Sequence, residues 1–249
     1  MELERASFAA ALVLGGAYLV GGLLSASEAS EHFWARRRYI SAAAGISVAY
    51  IFVDVLPELE LQRKVVVGGD GSFEMLFAEQ RIYLLALLSF VVMYGLQHMV
   101  LVTRERRRDA IAAGRADPAY RVQLGSYVAY SALIGYLLVD RVDRGVMAIV
   151  AYSFAMAVHF IIVDHSLSEE HGSSYGSRGR WLLAASVVAG WSAAVYAPLP
   201  EVVVARLFAL LAGGVVITSL GAELPDDREG RFWPFCLGAL FFAAFLLLA

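Results

Sequence analysis

Residues 147–171 read MAIVAYSFAMAVHFIIVDHSLSEEH, and this stretch decides the kind of fold the chain can have. From Met147 to Val163 every residue except Ser153 and His159 is apolar or aromatic. As a helix rising about 1.5 Å per residue, a run of that length nearly spans the roughly 30 Å hydrocarbon core of a bilayer. Period-2 alternation is absent, which excludes a barrel strand and leaves helix as the spanning structure. An ionisable side chain inside such a span is costly, so His159 needs a reason: a transported ion, a reacting group or a buried hydrogen bond.

The whole chain repeats this pattern. Its 249 residues are 59% hydrophobic and only 17% charged, with mean hydropathy +0.65, too little charge to cover the surface of a soluble helical protein of this size. Cys236 is the one cysteine, so an intrachain disulfide and a cysteine metal cluster are both excluded. Nothing in the composition favours nucleic acid as a partner. The N-terminal MELERASFAAALVLGG has two acids and one arginine before its apolar run, unlike the basic start of a secretory signal, and is read as a retained first helix. The small residues of SASEAS just beyond keep cleavage open.

Apolar runs of spanning length occur near 6–24, 39–57, 82–103, 122–140, 145–165, 180–197, 203–222 and 232–249, which predicts eight transmembrane helices. The run at 180–197 is the weakest, since Trp191, Ser192 and Tyr196 also suit an interfacial segment. Thirteen basic residues lie in the odd-numbered connections and seven on the opposite side, so both termini are expected outside. The expected location is a cytoplasmic membrane of prokaryotic type. The arginine-rich segment 104–121 then becomes a cytoplasmic loop whose simplest role is to set orientation.

Two similar motifs stand in different halves. The second run ends in Asp54, Val55, Leu56, Pro57 and Glu58, and the seventh in Glu223, Leu224, Pro225, Asp226 and Asp227. Under the orientation above, one lies at the outer face and the other at the inner face, as inverted repeats leave them. This predicts one all-α membrane domain over 1–249 in a 3+2+3 plan: three helices in 1–103, a central pair in 122–165 and three more in 180–249. The simpler reading of either motif alone is a proline helix terminator with a solvated acid.

In the central pair, Tyr127, Tyr130, Ser131 and Ile134 share one face of the fourth helix, and Ser153, Met156, His159 and Val163 form a comparable stripe on the fifth. Facing one another, these residues would line a transport path. Hydroxyls in a membrane bundle also serve as plain interhelical glue, worth about 1 kcal/mol per bond. Asp54 and Glu58, one turn apart, are candidates for an outer vestibule that attracts cations, while Asp164, His165, Glu223 and Asp226 are candidates for an inner exit. Glu169, Glu170 and His171 read as a solvated acidic loop, and His98 as a buried, hydrogen-bonded histidine.

The segments AAAGISVAYIFVDVLPELE (42–60) and AGGVVITSLGAELPDDREGRFWPFCLGALFFAAFLLLA (212–249) resemble the second and the last two helices of the ZIP family of divalent-metal transporters. The helix count, the loop after the third helix and the 3+2+3 plan agree with that family. The resemblance implies alternating access, with zinc or another divalent cation as cargo and His159 as a metal ligand. The chain departs from the family at its chemistry. Where the family has a His-Asn pair, an acid and a glycine, this chain reads Tyr130, Ser131, Ala132, Leu133, Ile134, Gly135. Where the family has His-Glu-x-Pro, it reads His159, Phe160, Ile161, Ile162, with Asp164 out of register. A nitrogen and carboxylate site needs three or four donors. Asp164 and His165 sit about 140° and 120° around the helix from His159, so they cannot complete one with it.

Three functions remain open from the sequence. The first is a ZIP-like transporter of a divalent metal or another small cation with an altered site, not an enzyme. The second is a non-transporting scaffold or regulatory relative, whose sign would be a dry, packed central pair filled by Tyr130, Ile134 and Val163. The third is an intramembrane zinc hydrolase using His159, His165 and Asp54 or Asp164. Expected partners are the lipid bilayer, a small cation and, as one option, a second copy of the chain.

Overall fold

The computed structural model describes residues 2–26, 38–69, 80–102, 118–223 and 232–248. These are helical apart from short turns, with no strand among the described residues. The helices are α1 (Glu2–Ala26), α2 (Arg38–Tyr50), α3 (Leu56–Gly69), α4 (Arg81–Val102), α5 (Pro118–Leu138), α6 (Val146–His171), α7 (Gly176–Tyr196), α8 (Glu201–Glu223) and α9 (Phe232–Leu248). A π-helical turn, Ile51–Val55, joins α2 to α3, and a 3-10 turn, Val139–Arg144, extends α5. Six of the resulting rods are long and apolar enough to cross a membrane, and α9 is a shorter apolar helix.

The Leu-Pro-Glu motif does not end the second span. The rod continues through Pro57 to Gly69. Proline in a helix interior lacks an N–H, and its ring strikes the carbonyl four residues earlier, here that of Val53. Val53 lies inside the π turn, where the hydrogen-bond ladder is widened by one residue, so the ring is accommodated without a break. The central helix is also longer than expected. α6 runs on to His171, which places Glu169, Glu170 and His171 on its last turn rather than in a loop.

Two groups of rods make up the bundle. α1, α5, α6 and α7 pack mainly on one another, and α2 with α3, α4, α8 and α9 form the second group. Within each group, glycine lets backbones touch. A β-carbon at Gly190 would fall on the Ala132 carbonyl and one at Gly135 on that of Val187, which keys α7 to α5. Gly45 with Gly238 keys α2 to α9 in the same way, and Gly213 keys α8 to α4. Lipid offers no hydrophobic drive for helix association, so this close dispersion contact, with hydrogen bonding, holds the rods.

α5 and α6 are joined by a tight turn at Gly145, whose φ of 96° and ψ of 175° are open only to glycine. α4 lies at the periphery and points Leu84, Leu87, Leu88, Val91 and Val92 outward. His98 is on this outward face, exposed and stacked on Tyr94 at 6.0 Å, not buried as expected.

Candidate functional site

The two polar stripes of the central pair meet. Tyr130 on α5 brings its hydroxyl to 3.3 Å from Nε2 of His159 on α6, and Thr218 Oγ1 on α8 approaches the same nitrogen at 3.4 Å. Thr218 donates its own proton to the Gly214 carbonyl at 2.7 Å, so toward the imidazole its oxygen is an acceptor. Two hydroxyl oxygens thus stand within hydrogen-bond reach of Nε2, the nitrogen that a metal ion would otherwise approach. All three residues are buried, as are Ile134 on α5 and Met156 and Val163 on α6.

Around this junction the remaining hydroxyls are used in packing. Ser131 and Tyr18 of α1 share a hydrogen bond of 2.8 Å, and Tyr18 stacks on Phe160 at 4.5 Å. Tyr152 donates to the Ile134 carbonyl at 2.9 Å. Tyr127 meets the Tyr130 ring edge-on at 6.5 Å and hydrogen-bonds Gln97 of α4. Ser153 is buried and its hydroxyl has no hydrogen-bond partner. Among the described residues, no three His, Cys, Asp or Glu side chains converge on a point that could hold a metal ion.

The acidic pair beside the π turn does not form an open vestibule. Arg141 sets its two terminal nitrogens 3.4 and 3.3 Å from the Asp54 oxygens. Arg144 forks onto both Glu58 oxygens, with one nitrogen 2.6 Å from Oε1, and Gln62 adds a bond of 2.6 Å to that oxygen. Arg141 is itself almost fully buried, its guanidinium 5.2 Å from the Tyr152 ring centre and 5.8 Å from that of Phe208. A carboxylate that already holds a guanidinium has little charge left to draw in a cation. The vestibule expectation is thus replaced by a four-residue ion-pair clamp.

Asp164, expected to line an inner exit, is instead engaged in side-chain bonds. It is fully buried, accepts from Tyr175 at 2.6 Å and pairs with Arg180 at 2.8 Å. Burial, reinforced by the Asp164 charge, pushes the Tyr175 phenol up, so it stays a proton donor to that carboxylate. Gly21 and Gly22 of α1 leave the space in which Asp164 and Arg180 sit. His165 turns away to Glu169 at 3.3 Å, and His171 bonds Gln123 on α5. Glu223 closes α8, while Asp226 lies outside the described residues. Of the predicted path and exit residues, the structure therefore brings Tyr130 and His159 together and separates both from Asp164 and His165.

Sequence reasoning missed Thr218, Tyr18, Arg141, Arg144 and Arg180. The signal for two of them was present in VDRVDR (139–144), where arginines recur three apart at the end of an apolar run. Comparison with protein-family models, with curated proteins and with solved structures finds no match for the chain. Fold and site geometry therefore carry the functional reading.

Proposed function

We propose that this chain is a polytopic membrane protein on a ZIP-like inverted-repeat plan whose centre holds helices together instead of binding a divalent cation. It acts as a non-transporting scaffold or regulatory membrane protein. The repeat plan is supported by the packing. Exchanging α1 with α7, α2 with α8, α4 with α9 and α5 with α6 carries the principal contacts into one another. Thus α2 on α9 becomes α8 on α4, and α5 on α7 becomes α6 on α1. By the arginine distribution, the clamp end and both termini face outside.

The observation that carries the reading is the junction of Tyr130, His159 and Thr218, where two hydroxyls stand within hydrogen-bond reach of the His159 Nε2 between the two helix groups. The test is reconstitution in liposomes with Zn2+ and Mn2+ as probes. Uptake should equal that of empty vesicles, and neither ion should raise the melting temperature. Metal flux above the empty-vesicle level would overturn the proposal.

A second reading is transport of a small cation with altered selectivity, and it is favoured by the position of His159 at the boundary between the two helix groups. Under that reading His159→Ala abolishes flux of the cation. Under the scaffold reading it lowers stability and moves no flux.

A further inference from the structure

The bonds that cross from one helix group to the other are unevenly placed along the bundle. At the end carrying the Gly145 turn stand Arg141 with Asp54 and Arg144 with Glu58, two ion pairs that join the groups. The ion pairs of Arg180 with Asp164, Arg144 with Asp140, His165 with Glu169, His171 with Glu170 and Arg63 with Glu60 stay inside one group. Farther along the bundle the groups are linked by Thr218 with His159. Toward the opposite end they are linked by Gln97 with Tyr127.

We infer that the Arg141, Arg144, Asp54 and Glu58 clamp is a latch between two separately moving bodies, closed in this structure, whose release parts the helix groups at that end. The geometry separates what is rigid from what is soft. Inside each group glycine brings backbone against backbone, so the rods are keyed, while across the boundary the contacts are thinner and the strongest bonds are the four charges. Both arginines come from the short 3-10 turn between α5 and α6, while Asp54 lies within the π turn and Glu58 on the first turn of α3 just after it, so three of the four charges are mounted on irregular segments. Glu58 and Arg141 are buried, whereas Arg144 and Asp140 are partly open to solvent. Asp140, 3.7 Å from Arg144, offers that guanidinium a partner on its own body once Glu58 leaves. The inference does not depend on whether anything crosses the membrane.

Site-directed labelling tests it. In a Cys236→Ala background, Phe208→Cys places a reporter on the second group beside Arg141, and Val100→Cys places one near the far end of α4. A water-soluble maleimide is applied to the full-length protein in vesicles. Glu58→Gln, which keeps the side-chain shape and removes the charge, and Arg144→Gln should each speed labelling at position 208 by about tenfold, the scale of a lost charged hydrogen bond. Labelling at position 100 should stay unchanged. The exchange Glu58→Arg with Arg144→Glu should restore the slow rate. Unchanged labelling at 208 in both single variants would overturn the latch, and so would equal acceleration at 208 and 100, which means general loosening.

Discussion

Fully buried Asp164 and partly buried Arg180 form an ion pair in which one guanidinium nitrogen, Nε, stands 2.8 and 3.1 Å from the two carboxylate oxygens. Removing Arg180 leaves Asp164 as an uncompensated buried charge, which costs about 3–5 kcal/mol. Arg180→Gln should therefore lower stability by that amount in a detergent unfolding titration, and Asp164→Asn by less, because Tyr175 can still donate to the amide oxygen. The double variant should recover part of the loss.

Glycine contacts give a graded test of packing. Gly190→Ala puts a methyl group on the Ala132 carbonyl, and overpacking of this kind costs about 1–3 kcal/mol. Gly16 and Gly95 have nothing near the place of a β-carbon, so alanine there should be neutral or stabilise the helix by up to about 1 kcal/mol. Melting temperatures of the three variants in one detergent check the order.

The Gly145 turn should be intolerant of any side chain. Its backbone lies in a region open only to glycine, so Gly145→Ala should cost about 1–3 kcal/mol although the space around it is empty. The strain falls directly on the turn that carries Arg141 and Arg144, so the same variant should also speed labelling at position 208.

Tyr18 and Ser131 share a buried hydrogen bond between hydroxyls. Tyr18→Phe and Ser131→Ala each leave one hydroxyl unpaired, at about 1–3 kcal/mol. The double variant should cost less than the sum, giving a coupling near 1 kcal/mol in a thermodynamic cycle. Additive losses would mean that the bond contributes nothing in the folded protein.

Hydropathy made the spans legible because burial in lipid is a property of composition, and the run around His159 needed no tertiary information. The facing of Tyr130 and His159 was also readable, since helical spacing puts each on a polar stripe. The ion pairs were not. Asp54 and Arg141 are 87 positions apart, and Asp164 and Arg180 belong to separate helices, so only tertiary packing reveals that these acids are neutralised. His98 was misjudged for a related reason: position along a helix gives depth in the membrane and says nothing about which face meets lipid. Pro57 was misjudged because a proline reads as a stop unless the widened turn before it is known.

That widened turn also fixes the angular phase of everything after it. One residue in a helix is about 100° of rotation, and the π turn inserts one. Winding the same residues as regular α-helix would swing Glu58 and Gln62 about a quarter of a turn away from Arg144, whereas deleting a single residue between Ile51 and Val55 would restore a regular ladder and leave both in phase with it. The π turn is thus a phase setting: it lets one rod show an apolar face to α9 along α2 and a charged face to the central turn along α3.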